Sequence, residues 1–232
     1  MSEGSENAVE GTRDAPGIVL MADPRVAAVP VRECGEALTD VRLAGLLPVD
    51  ARRRDAAGDY AFLRAGVYER LLAAQRALPG GLRLLFVEGY RPPRLQRAYF
   101  EEYAEELARE HPDWPAPRLR EAASRFVSPP RIAPHSAGAA VDLTLVTEDG
   151  AELDLGTRVN VNPEESAGAC YTEAPGLPSA ARAARRVLAE ALSGAGLVNY
   201  PTEWWHWSYG DRYWALSTGA PHALYGPLDR EH

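Results

Sequence analysis

The chain has no lysine; all 25 basic residues among its 232 are arginine. This excludes Schiff-base chemistry, serine–lysine dyads and the lysine of a phosphate-binding loop. Cysteine is nearly absent as well. Cys34 and Cys170 form no Cys-x-x-Cys pair, so a thiolate metal site is excluded and two reduced thiols are expected. No run approaches the ~18 apolar residues of a membrane span, so no membrane partner is expected. Positive charge is in deficit, with 33 acidic residues and a net charge of -8. That argues against nucleic acid, whose phosphates need clustered cations. There is no internal repeat and no low-complexity block. Residues 1–17 are polar and acidic, with neither a basic start nor an apolar run. They are expected to form a disordered amino-terminal tail rather than a signal peptide, in a cytoplasmic protein.

The remainder, residues 18–232, is ordinary in composition for one globular domain, at 46% hydrophobic and 25% charged over the whole chain. Pro24 and Pro30 interrupt an apolar stretch over 18–31, which is expected to be extended. Residues 50–59 form a charged loop. Val67, Leu71, Ala74 and Leu78 recur at helical spacing up to Pro79-Gly80-Gly81. A strand over 82–87 then ends in Gly89-Tyr90-Arg91-Pro92-Pro93. Helices follow over 94–110 and 118–126. Residues 139–146 alternate as a strand, with Val141, Leu143 and Leu145 on one face and Asp142 on the other. An amphipathic helix covers 178–192, with Ala184, Val187, Leu188 and Ala191 inward. The carboxy-terminal part suggests a hairpin, 204–209 and 212–216 joined by Gly210-Asp211. This order predicts an α+β fold: one compact domain with a small, largely antiparallel sheet and flanking helices.

Chemistry concentrates in few residues. Of five histidines, His111 follows a helix in a surface loop, and His222 and His232 lie near the carboxy terminus. His135 stands before a run of small residues, Ser136-Ala137-Gly138-Ala139-Ala140, that lets backbone approach a site. Asp142 is a carboxylate in mid-strand. His206 closes Glu203-Trp204-Trp205-His206. Two histidines and an aspartate supply three ligands for zinc, with a fourth position left for water, which puts the expected zinc site on the sheet. Glu203 supplies a carboxylate base. On a regular strand Glu203 and His206 would face opposite sides, so a bend after Pro201, or a place for Glu203 ahead of the strand, is required. Arg91 is held extended by Pro92, where a guanidinium suits the oxyanion of a tetrahedral intermediate.

Together, Gly89-Tyr90-Arg91-Pro92, His135-x-x-Gly138-x-Ala140-x-Asp142 and Glu203-Trp204-Trp205-His206 resemble the VanX-type D-alanyl-D-alanine dipeptidases, from about Leu63 to Ala215. The resemblance implies an α+β domain with zinc as cofactor, held by His135, Asp142 and His206. It implies Glu203 as general base and Arg91 as the residue that steadies the transition state, with a small peptide as substrate. The substrate side departs from the family. Ala133 stands where the family has a serine, and Asn160 where it has an aspartate for the substrate ammonium. Val41-Arg42-Leu43 lacks the family's tyrosine. Ala133, Asn160 and Trp205 are the residues expected at the substrate. Three activities follow as alternatives. One is a zinc dipeptidase for D-Ala-D-Ala or a related small dipeptide. The second is a D,D-carboxypeptidase or peptide-tailoring enzyme for a blocked or longer peptide. The third is a zinc-stabilised binding module without turnover. No oligomeric state is implied.

Overall fold

Four strands meet in an antiparallel sheet of order β3-β4-β6-β5: β3 (Leu82–Glu88), β4 (Ala140–Thr147), β6 (His206–Ser208) and β5 (Val198–Asn199). This is a computed structural model, and it describes residues 17–230. The tail expected over 1–17 therefore lies, apart from Gly17, outside the described residues. A separate antiparallel pair, β1 (Leu38–Asp40) and β2 (Phe62–Arg64), stands beside the sheet. Helices α2 (Ala65–Ala77) and α5 (Ser179–Gly194) pack on each other. They bury Leu71, Leu188 and Leu192 with Leu84, Phe86, Leu143, Leu145 and the three tryptophans 204, 205 and 207. Helices α3 (Pro93–Glu110) and α4 (Ala116–Ala123) form a smaller core around Phe100, Tyr103, Leu107 and Ala122. The architecture is the single α+β domain expected. Among the described residues no helix is long and apolar enough to cross a membrane. Cys34 and Cys170 are both free thiols.

Two segments differ from the expectation, for the same reason. Residues 18–31 hold a short helix, α1 (Pro24–Ala28), rather than only extended chain. Pro24 occupies its first turn, where a missing N–H costs nothing, and Asp23 caps it by accepting from Arg25 N at 2.8 Å. At the other end β6 is followed by helix α6 (Arg212–Thr218), not by the second arm of a hairpin. Asp211, taken from sequence as a turn residue, is its N-cap and accepts from Trp214 N at 2.9 Å. In α5 the inward set includes an unexpected member, Arg185, which is buried. Its guanidinium donates to the carbonyls of Leu155 at 2.7 Å, Tyr171 at 2.6 Å and Ala169 at 2.9 Å, tying down the segment that carries Asn160.

The register of the sheet places the site. Glu88 on β3 lies opposite Asp142 on β4, and Asp142 lies opposite His206 on β6. The three side chains thus form a row across the strands. An irregularity between Phe86 and Glu88 shifts the alternation of β3, so Glu88 is buried on the side of the row. Val141, Leu143 and Leu145 of β4 point into the main core.

Candidate metal centre and substrate cleft

Each ligand candidate is placed by a different local device. His135 begins a short 3-10 turn, His135–Ala137, closed by Gly138 at φ 64. A side chain at Gly138 would run into Leu38 as well as strain the backbone. Asp142 and His206 face each other across neighbouring strands. Glu203 lies before β6, within the turn over residues 200–206. Tyr200 N donates to His206 O at 3.0 Å, and Asn199 Nδ2 donates to the carbonyls of Glu203 at 2.9 Å and His206 at 3.0 Å. This bend resolves the strand conflict and brings Glu203 Oε2 to 3.7 Å from His206 Nδ1.

His135 Nε2, His206 Nδ1 and Asp142 Oδ1 converge. The separations are 3.2 Å between the nitrogens, 3.1 Å from His206 Nδ1 to the carboxylate and 3.3 Å from His135 Nε2 to it. A tetrahedral ion bound at about 2.0–2.1 Å needs its donors about 3.3 Å apart, so the triangle matches. The tautomers agree as well. His135 Nδ1–H donates to Gly89 O at 2.6 Å, which leaves Nε2 with a lone pair. With Nδ1 of His206 as ligand the proton sits on Nε2, which is buried and has no hydrogen-bond partner in the protein. All three residues are buried. The donor set, two imidazole nitrogens and one carboxylate oxygen, fits a divalent cation.

Electrostatics follow from that burial. Burial raises the Asp142 carboxyl, but His135 and then His206 outweigh it, and the group lies far below the usual carboxylate range. Burial lowers His206. Burial raises Glu203 well above the carboxylate range, and the Asp142 charge adds to this while Arg91 opposes it.

Arg91 is buried and anchored at three points. Nε and Nη2 take both oxygens of Glu88, at 2.7 and 2.8 Å, and Nη1 donates to Gln96 Oε1 at 2.9 Å. Gln96 in turn donates to Ser128 O at 2.7 Å. Burial works against the Glu88 charge, but the charge and hydrogen bonds of Arg91, with Arg53, hold its carboxyl down at about 2. Glu88 and Gln96 escaped the sequence reading. The available signal was a carboxylate ending an apolar strand one residue before Gly89-Tyr90-Arg91.

A cleft of about 290 Å³ joins these groups, lined by Arg91, His135, Asp142, Glu203 and His206 together with Asn160. Trp205 and Ala133, expected at the substrate, are placed differently. Trp205 is fully buried in the main core, and Ala133 is buried too; neither lines the cleft. Asn160 sits in left-handed backbone at φ 60, and its Nδ2 is buried with no partner. Of its acidic neighbours, Glu164 takes the Tyr103 hydroxyl proton in a hydrogen bond, and Glu165 pairs with Arg158 at 2.8 Å on the surface.

Comparison with known proteins places the same residues in context. The model of the family described as D-ala-D-ala dipeptidase matches residues 61–221. A D-alanyl-D-alanine dipeptidase of Synechocystis sp. is 27% identical over 246 residues, covering 87% of this chain and 96% of the relative. One from Enterococcus faecium is 30% identical over 154 residues, covering 63% and 73%. One from Escherichia coli is 39% identical over 72 residues, covering 31% and 35%.

Proposed function

The chain belongs to the D-Ala-D-Ala dipeptidase family of metallopeptidases, and on that premise we propose that it is a cytoplasmic zinc dipeptidase. Residues 18–232 would form its peptidase domain, and its substrate is D-Ala-D-Ala or a related small dipeptide. The observation that carries this reading is the convergence of His135 Nε2, Asp142 Oδ1 and His206 Nδ1, with Glu203 beside them and Arg91 in the same cleft.

His135, Asp142 and His206 hold the zinc, which when bound supplies a Lewis acid for the scissile carbonyl and a more acidic water. Glu203 accepts a proton from the attacking water at its carboxylate and returns it to the leaving amine, so water is added across the C–N bond. The fixed turn over residues 200–206 keeps that carboxylate next to His206. Arg91 has five N–H groups, of which Glu88 and Gln96 occupy three. Two remain to meet the charge that develops on the carbonyl oxygen.

A second reading is favoured by Asn160. Its unpartnered buried Nδ2 offers a donor where the family has a carboxylate, and a donor suits an acyl carbonyl better than an ammonium. Glu165 is turned to the surface, and Glu164 is already engaged by Tyr103. A substrate with a blocked or extended amino side would therefore fit. Both readings are tested by incubating the zinc protein with D-Ala-D-Ala and its N-acetyl form and measuring released D-alanine. The first expects the free dipeptide to be the better substrate and the second the acylated one. Release from neither would remove both.

A further inference from the structure

The last described residues form a strap that touches three segments of the proposed site. It lies beyond residues 61–221, the part matched by the family model. Leu224 N and Tyr225 N both donate to Gly210 O, at 2.6 and 3.0 Å, just past β6, the strand that begins with His206. Gly226 N donates to Glu33 Oε2 at 2.8 Å, and Pro227 after it favours extended backbone. Leu228 then spans two turns. Its N–H donates to Ser136 O at 2.9 Å, next to His135, and its carbonyl accepts from the Tyr90 hydroxyl at 2.9 Å, next to Arg91. Arg230 N donates to the same hydroxyl at 3.1 Å. Arg230 Nη1 ties the strap down by meeting Asp59 Oδ1 at 2.6 Å, with its guanidinium 3.8 Å from the centre of the Phe62 ring. The Tyr90 hydroxyl is thus used as donor and as acceptor, both times by the strap. Tyr90 and Ser136 are buried.

We propose that residues 223–230 are a positioning element of the site, acting through the Tyr90 hydroxyl and Ser136 O on Arg91 and His135. This rests on reading His135 as a metal ligand. The path is short. Gly89 O, one residue before Tyr90, takes the Nδ1–H of His135 and so sets the direction of Nε2. Arg91 N donates to His135 O at 3.2 Å, and Ser136 Oγ donates to Arg91 O at 2.9 Å. The segments 89–91 and 135–136 therefore move as one unit. The carbonyls of Tyr60 and Phe62 hold only the backbone of that unit. The strap holds the far end of the Tyr90 side chain, and this second, separated anchor restrains a rotation that the first allows.

The test uses the full chain as parent, Tyr90→Phe, Arg230→Gln, Arg230→Lys and the double variant Tyr90→Phe with Arg230→Gln. Zinc affinity is read by competition with a chelator, alongside kcat and KM for D-Ala-D-Ala and the denaturation midpoint. Tyr90→Phe and Arg230→Gln are each expected to weaken zinc binding about tenfold and to lower kcat by a similar factor, with KM little changed. The double variant should be no worse than the poorer single one, because both cut the same link. Arg230→Lys should recover most of the loss by keeping a cation at Asp59. In metal-free protein the His135 Nδ1–H should give a slowly exchanging imidazole proton signal in the parent that is lost in Tyr90→Phe and Arg230→Gln. Lower denaturation midpoints with zinc affinity and kcat unchanged would make the strap a stabiliser alone and overturn the proposal, as would additive losses in the double variant. A parent that binds no zinc, while both variants lose the His135 signal, sinks the metal reading and keeps the positioning role. A signal that survives in both variants overturns that role.

Discussion

The floor of the cleft and its wall are made of different material. The floor is backbone ladder: Asp142 and His206 are paired positions on β4 and β6, and His135 stands in a turn whose imidazole is fixed by Gly89 O. All three proposed ligands are buried. The wall is loop and helix surface. Arg53 belongs to a charged loop, Asn160 to a left-handed turn, and Tyr99 to the edge of α3. A ladder fixes positions through many shared hydrogen bonds, so a ligand cannot move without its strand. A loop residue can be exchanged with little cost to the fold. The departures from the family at Asn160 and in the 41–43 segment lie on loops, while the three proposed metal ligands, His135, Asp142 and His206, are all present.

Removing a floor residue is expected to have the largest effect. His206→Ala or His135→Ala should abolish metal binding and activity together, since two donors cannot hold the ion tightly. Metal analysis of both variants measures this, and full retention would take those residues out of the coordination sphere. Glu203→Gln comes next. It should keep fold and metal while kcat falls about 10²- to 10⁴-fold, because an amide cannot accept the proton; near-parent turnover would exclude the proposed base.

The strut between floor and wall should break as a stability effect. Glu88→Gln strands two arginines around a buried position and is expected to cost about 3–5 kcal/mol in chemical denaturation at neutral pH. The sign with pH follows from the depressed carboxyl, at about 2 against an ordinary 4.5. The stabilisation from Glu88 is complete above about 4.5 and is lost as pH falls toward 2, because the unfolded chain then binds the proton first. In Glu88→Gln that part of the acid dependence should vanish; an unchanged acid limb would contradict it. The smallest expected effect is on the wall. Asn160→Asp should raise kcat/KM for free D-Ala-D-Ala by about tenfold and leave stability nearly unchanged, as a carboxylate restores a counter-charge for the ammonium. A parent already efficient on the free dipeptide and indifferent to the substitution would refute this.

The same division explains what was legible in the sequence. The spacing of His135, Asp142, Glu203 and His206 could be read because each lies in a short motif whose residue types fit one chemistry. Helices α2, α3 and α5 and strands β3 and β4 could be read from periodic apolar residues over long windows. Helices α1 and α6 could not. Each is a few residues long, and their capping aspartates, Asp23 and Asp211, sit beside a proline and a glycine that also mark extended or turn structure. Trp205 was expected at the substrate, but the turn that precedes β6 directs it into the core. Glu88, Gln96 and Arg53 act through partners distant in the chain, or on a surface that only the folded cleft defines. No local pattern announces them.

Gly89 carries a consequence for how far this chemistry can be transplanted. Its carbonyl orients His135, yet its own N–H is hung from Tyr60 O at 2.6 Å, and the next residue, Tyr90, from Phe62 O at 2.7 Å. Arg64 adds a backbone bond to Gly138 O and a side-chain bond to Ala137 O, both at 2.9 Å. A Cβ at Gly89 would collide with the Phe62 carbonyl. Tyr60 and strand β2, which contribute no proposed ligand and no base, are thus the peg on which a proposed metal ligand hangs. A trimmed version that kept the four-stranded sheet and every reactive side chain would still lose the alignment of His135. The smallest portable unit of the proposed site therefore begins at Tyr60, some distance before His135, the first proposed ligand.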